Sequence, residues 1–292
     1  MAPAHAARLV AVLVVLGVLG IGCSSSEVQP PAAKRAELHG KISTQADGAL
    51  AGLTDGTATP STTIVADPKD TAPQASDVLD QFLDALAAKD LQRAGELSIG
   101  AVQYFTFIRS LLAAHADAAG TSIEYRYTDR ELTQGSPAGD RRPFSGRAVL
   151  HGTATFAGGR KLDTSEELGD PVVRAGTNGP HVADFRYQGQ PLVLSPGGAA
   201  QSLRSGVQVR MVGALSQGDA TAVVLQLVGA GEVSVSIEDS ALVYPDAEAK
   251  PAAQALVGSY VYAAFPRRVS PTAYRARFSL DGGPSQSVSL AF

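Results

Sequence analysis

Ser76-Asp77-Val78-Leu79-Asp80-Gln81-Phe82-Leu83-Asp84-Ala85-Leu86, residues 76–86, decides how the first half of this chain is read. Val78, Leu79, Phe82, Leu83 and Leu86 recur three and four residues apart, the spacing of one helix face. Asp80, Gln81 and Asp84 fall between them. Ser76 is expected to cap the start, with Asp77 at the positive end of the helix dipole. Lys89-Asp90 makes a short break, and residues 91–97 read as a second helix. A third runs over residues 102–118 with Tyr104, Phe105, Phe107, Ile108, Leu111 and Leu112, and Gly120 ends it.

After Gly120 the period changes from helical to two. Ile123, Tyr125 and Tyr127 alternate with Glu124, Arg126 and Thr128. In residues 148–156, Leu150, Ala154 and Phe156 share one face and His151, Thr153 and Thr155 the other. Val172-Val173 and residues 182–187 follow, separated by the turn Thr177-Asn178-Gly179-Pro180. Helices followed by antiparallel strands make an α+β pattern.

From about residue 203 onward no helical period persists. Short apolar runs recur at 207–211, 222–228, 233–237, 242–244, 260–265, 274–280 and 288–292. Gly218-Asp219, Pro245-Asp246 and Asp281-Gly282-Gly283-Pro284 punctuate them as turns. Seven short strands in this span predict an all-β, immunoglobulin-like sandwich. The expected organisation is residues 1–22 as a signal, 23–73 as a tether, 74–198 as the α+β domain and 199–292 as the sandwich.

The helical opening at 78–86, the Lys89-Asp90 break and the closing phrases Val182-Ala183-Asp184-Phe185 and Gly189-Gln190-Pro191-Leu192 resemble the NTF2-like superfamily. The likeness covers residues 74–194. It is to the NTF2-like domain that precedes the catalytic module of some penicillin-binding transpeptidases and that occurs in actinobacterial-type lipoproteins. Where that group often carries Gly-x-Trp before the last strand, this chain has Gly179-Pro180-His181. The resemblance implies a cone of three helices on a curved antiparallel sheet, and pairing with a sandwich is a recurring lipoprotein design.

The start of the chain sets location. Residues 9–21 are apolar, preceded by Arg8 without any acid, and followed by Gly22 and the single cysteine, Cys23. A run this short does not cross a bilayer core, which takes about 20 apolar residues, and fits a secretory signal. Leu19-Gly20-Ile21-Gly22-Cys23 resembles the lipobox of bacterial lipoproteins, with Gly20 where the family prefers Leu. That resemblance implies acylation of Cys23, palmitate among the chains, and anchoring to the outer, extracytoplasmic face of the cell membrane. Several acyl chains hold a protein stably where one does not. Residues 24–73 are rich in Ser, Thr, Ala, Pro and Gly without a persistent period, which predicts a disordered tether.

Composition and motifs narrow the chemistry. The formal charge is −4, and removing Arg8 with the signal leaves −5, with no basic face for nucleic acid. The chain has no Ser-x-x-Lys, no Gly-x-Ser-x-Gly, no His-Glu-x-x-His, no Cys-x-x-Cys and no phosphate-binding loop. His115, His151 and His181 lack metal-ligand spacing, so no metal or cofactor is expected. An NTF2-like cone can enclose a cavity, for which Tyr104, Tyr125, His151 and Asp184 are the candidate lining residues. Strict alternation places Asp184 with Val182 and Arg186, away from Ala183, Phe185 and Tyr187, and sets His151 among threonines, a solvated face for both. Arg141-Arg142 and Arg267-Arg268 read as turn residues in water, and Arg275 and Arg277 as the wet face of a strand.

The expectation is a non-catalytic, lipid-anchored protein that binds or scaffolds an envelope protein. Alternatives are a lipid or apolar small-molecule cavity with weak isomerase-type activity, and an accessory factor of cell-wall synthesis.

Overall fold

The computed structural model describes residues 72–156, 158–176, 179–231, 233–266 and 271–292. The signal, Cys23, the tether up to residue 71, Thr177-Asn178 and Arg267-Arg268 lie outside the described residues. The described chain is β-rich, with a few helices and extensive antiparallel sheet. It divides into two compact units, one ending at Leu192 and the other beginning at Val193.

The first unit opens with three helices. Helix α1 spans Ala72–Ala87 and buries Ala75, Leu79, Phe82, Leu83 and Leu86 along one stripe. It begins four residues before the expected cap at Ser76, which therefore lies inside the helix. Pro73 accounts for the difference: in the first turn its missing N–H costs nothing and its fixed φ suits the helix. The Lys89-Asp90 break is a Schellman motif. Asp90 N–H donates to the Ala85 carbonyl at 2.9 Å, Lys89 N–H to Leu86 at 3.2 Å, and Lys89 takes φ +60°. Asp90 then caps helix α2, Leu91–Glu96, its carboxylate accepting from Arg93 N–H at 3.0 Å.

Helix α3, Gly100–Ala118, is buried on most sides, from Val102 to Ala116. Gly120 closes it as expected. Thr121 N–H reaches the Ala116 carbonyl at 2.8 Å and Gly120 N–H the Asp117 carbonyl at 3.1 Å, with Gly120 at φ +70°.

Strands β1 (Ser122–Gln134), β2 (Arg141–Thr155), β3 (Lys161–Gly176), β4 (Gly179–Tyr187) and β5 (Gln190–Pro196) follow, neighbouring strands pairing antiparallel from β1 to β5. Three of them run well beyond their apolar alternation. The register slips near Tyr127 and Asp129 in β1, between Pro143 and Arg147 in β2, and between Gly169 and Val173 in β3. Each slip is an extra residue or two on one strand, and such bulges bend a sheet and sharpen its twist. At the β2 slip Gly146 takes φ +108° and its N–H donates to the Asp170 carboxylate at 3.3 Å, while Asp170 itself takes φ +47°.

The helices pack on one face of this sheet. Phe185 meets Phe105 edge-on at 5.3 Å and Phe82 at 6.2 Å, and Tyr187 lies 5.0 Å from Phe105. Leu150, Ala154, Leu168, Val173 and Val182 complete that core. The α2–α3 junction is pinned to β4 by Ile99 N–H to the Val182 carbonyl (3.0 Å) and Val182 N–H to Leu97 (2.9 Å). One of the two expected wet arginines is not wet. Arg142 is buried, and its guanidinium donates to the carbonyls of Gly139 (2.7 Å) and Arg141 (3.2 Å), because the β1–β2 turn folds back over it.

The second unit contains two sheets. One runs β7 (Gln208–Gln217), β8 (Ala220–Val228), β12 (Tyr260–Phe265), β11 (Ala253–Val257), with β6 (Ala200–Ser202) also paired to β7. The other runs β10 (Glu248–Ala249), β9 (Val235–Val243), β13 (Ala273–Leu280), β14 (Gln286–Ala291). One apolar core joins them, with Val209, Met211, Leu225, Val261 and Phe265 from the first sheet and Leu242, Tyr274, Ala276, Phe278 and Leu290 from the second. Phe265 and Tyr274 meet edge-on at 6.2 Å. The runs expected as separate strands at 233–237 and 242–244 meet in the single strand β9, where Asp239 and Ser240 continue the ladder with β13 and Glu238 is the extra residue of a bulge. Arg275 and Arg277 are exposed, as their alternation implied.

Two substitutions probe these bends. A Cβ on Gly146 would run into the Glu131 carbonyl, so Gly146→Ala should cost about 3 kcal/mol or more. Lys89→Gly relieves a left-handed lysine and should add about 1 kcal/mol. Urea midpoints would read both; an unshifted midpoint for Gly146→Ala would show that the sheet does not depend on this bend.

Candidate functional site

The four residues expected to line a cavity do not converge. Tyr104 is fully buried in α3, its ring 6.3 Å from Phe107 in an edge contact, so it fills core. Tyr125 pairs with Gly152 across β1 and β2, and is half-buried. Gly152 leaves room for it: a Cβ there would stand 2.9 Å from the Tyr125 ring. His151, one residue along, points to the opposite face and is exposed. Asp184 is half-buried beside the bulge in β4. That bulge overturns the expected facing of the strand. Ala183 has no partner between the pairs Val173–Val182 and Val172–Asp184, so Val182 is buried along with Phe185 and Tyr187.

Beside Tyr125 the structure brings together two residues that the sequence reading had not singled out. Arg109, from the middle of α3, forms an ion pair with Glu166 of β3, with side chains only 10% and 3% exposed. The Arg109 guanidinium stands 4.9 Å from the centre of the Tyr125 ring and 5.5 Å from that of Phe105, within cation–π range of both. Register explains the approach. Leu150 pairs with Glu166 and Gly152 with Thr164, so β3 presents Glu166 on the same face as Leu150, toward the helices. A lone arginine within the apolar run 104–112 was the available signal for Arg109. Glu166 gave little, because it sits in the polar stretch Asp163-Thr164-Ser165-Glu166-Glu167.

The electrostatics of this cluster follow from burial. Burial works against the charge of Arg109, but Glu166 together with the Tyr125 and Tyr187 phenols more than restores it, so the guanidinium is held above its ordinary range. Burial pushes the Tyr125 and Tyr187 phenols up, and the Glu166 charge adds to the rise while Arg109 opposes it. The Tyr125 and Tyr187 phenols also hydrogen-bond the Glu166 carboxylate, which adds to their rise. A closed pair of this kind fixes one element against another. The cluster holds a cation, an anion and two neutral phenols, and no Ser or Cys nucleophile among them.

The outer face of the same sheet carries a half-open groove of about 330 Å³ lined by Glu124, His151, Gly152, Thr153, Asp163 and Thr164. Glu124, Thr153 and Asp163 lie in one cross-strand row, and the Thr153 hydroxyl donates to Asp163 at 2.9 Å. Among the described residues no set of three His, Cys, Asp or Glu side chains is placed to hold a metal ion.

Removing one member of the buried pair strands the other. Arg109→Met and Glu166→Leu should each cost about 3–5 kcal/mol, while the double variant should recover most of that loss. Strict additivity in denaturant melts would show that the pair is not coupled. The phenols give a pH test. Because the folded values of Tyr125 and Tyr187 lie above the ordinary 10.0, their contribution is fully present below about pH 10 and is lost as pH rises, since the unfolded chain ionises first. Phe at both positions should make the alkaline limb of the stability profile shallower, leaving the slope that buried Tyr262 and Tyr274 contribute.

Compared with protein-family models, curated proteins and solved structures, the chain matches none.

Proposed function

We propose that this chain is a lipid-anchored, extracytoplasmic protein of the bacterial cell envelope that binds or scaffolds a partner and catalyses no reaction. The observation that carries the reading is the apolar run 9–21 followed by Gly22 and the single cysteine, Cys23. In the proposed arrangement the first unit is an NTF2-like cone and the second an immunoglobulin-like sandwich. Three helices followed by a sheet bent at successive bulges support the first assignment. Two antiparallel sheets around one core support the second.

The absence of a nucleophile–base pair from the Arg109–Glu166 cluster favours binding over catalysis.

The anchor is tested by fractionation and labelling. The chain should take up a palmitate analogue and sediment with membranes, and Cys23→Ser should abolish the label and release the protein. Membrane retention without label in Cys23→Ser would overturn the lipid anchor.

A further inference from the structure

Like charges directly opposite each other on neighbouring strands are destabilising, yet the first unit places two arginines in that relation. Arg141 of β2 pairs with Arg174 of β3, and Arg174 pairs in turn with His181 of β4. Direct cross-strand partners share a face, so the three side chains form one row. The next row, Arg142, Val173 and Val182, is buried, with both valines in the core beneath the helices. Arg141, Arg174 and His181 therefore stand on the outer face of the sheet.

The row is short of anions. Arg130, Arg147 and Arg186 of the same sheet each meet a carboxylate. Arg141 is exposed and its side chain has no ion pair or hydrogen bond among the described residues. Arg174 has Asp140 beside it, but Oδ2 stands 3.7 Å from Nε, beyond hydrogen-bond reach, and both side chains are about half exposed. A surface contact of that kind contributes little and leaves the two terminal guanidinium nitrogens of Arg174 open. The Nδ1 of His181 lies 2.9 Å from the Gly179 carbonyl. A carbonyl only accepts, so Nδ1 carries the proton, and Nε2 has no partner among the described residues.

We infer that Arg141, Arg174 and His181 form a binding site for a terminal phosphate group, free or as a monoester. Reach allows it. Neighbouring strands lie about 4.8 Å apart, so the backbones of Arg141 and His181 are about 10 Å apart, and side chains as long as arginine's close on one tetrahedral group above the middle strand. Chemistry selects the phosphate. Planar guanidinium forks bind carboxylates and phosphates through paired, charge-assisted hydrogen bonds. A carboxylate has two oxygens for the two arginines and nothing for the imidazole. A terminal phosphate has three free oxygens, and near neutral pH one of them is part of the time a P–OH. The Nε2 of His181 accepts from that hydroxyl, or donates to the dianion when it holds the proton instead. A phosphodiester lacks both the third free oxygen and the hydroxyl. The bound anion would also relieve the opposition of Arg141 and Arg174 that the empty row carries.

The test is an NMR titration of the full chain in a nonionic, phosphate-free detergent, purified from whichever cell fraction holds it, so the result does not depend on the anchor. Inorganic phosphate should shift the Arg141 and Arg174 Nε–H signals and the His181 ring signals together along one saturating curve. Acetate at matched ionic strength should not saturate them. Arg141→Gln and Arg174→Gln should each weaken phosphate binding about tenfold, the loss of one charge-assisted contact, with backbone signals elsewhere in the chain unchanged. Nanodiscs carrying phosphatidic acid tell the sources apart: displacement of inorganic phosphate by them points to a lipid phosphomonoester, and an unchanged phosphate curve points to a soluble one. The absence of a saturating curve, an equal response to acetate, or wild-type affinity in both arginine variants would overturn the proposal.

Discussion

The helices of the first unit are tied to its sheet by the ion pair between Arg109 and Glu166, and much else in that unit is arranged around it. Taking two charges out of water costs several kcal/mol per ion, and their attraction offsets this only with good geometry. The surroundings supply part of what is needed. The Tyr125 and Phe105 rings flank the guanidinium, Gly152 gives the Tyr125 ring its space, and the edge-on Phe105–Phe185 contact continues into apolar core. The Tyr125 and Tyr187 phenols add hydrogen bonds to Glu166, and the pair gives α3 a defined placement. A purely apolar contact would let the helix slide by a residue at little cost; an ion pair fixes the register.

The bends in the sheet act with that pair. A flat sheet of strands as long as β2 and β3 would carry their far ends away from the helices. Slips in β1, β2 and β3 turn those strands instead. The same slips decide which side chains face inward. Ala183, unpaired in β4, brings Val182 and Phe185 to one side although they are three residues apart. The second unit carries slips of its own, near Gly213 between β7 and β8 and at Glu238 between β9 and β13, while its two sheets bury each other's inner faces.

Much of this was legible from residue spacing, and the failures have physical causes. The stripe Leu79, Phe82, Leu83 and Leu86 and the stop at Gly120 are local features that period and conformational preference encode directly. Ser76 misled because a proline three residues earlier had already started the helix. The strand extensions through Arg130 to Gln134 and Asp163 to Glu167 were hidden because their side chains are largely polar, while their pairing comes from the backbone of neighbours far along the chain. Strand β11 was missed because two alanines and a glutamine give no alternation to read. The candidate site was the least legible part. Arg109 and Glu166 are 57 residues apart, and only the register of β2 with β3 shows that they meet.

Gln201 covers the edge of β14, its side chain donating to the Ser287 carbonyl and accepting from Ser289 N–H, from a position 86 residues earlier than that carbonyl. Contacts of such long range are paid for late in folding, after the loop between them has closed. The last strand of the chain is thus also the piece whose arrival completes the second unit. A growing chain would hold that unit open until Ser287 and Ser289 emerge, whereas the local contacts of α1 to α3 can form as they appear. The order of assembly is therefore written into which edge the fold leaves for last.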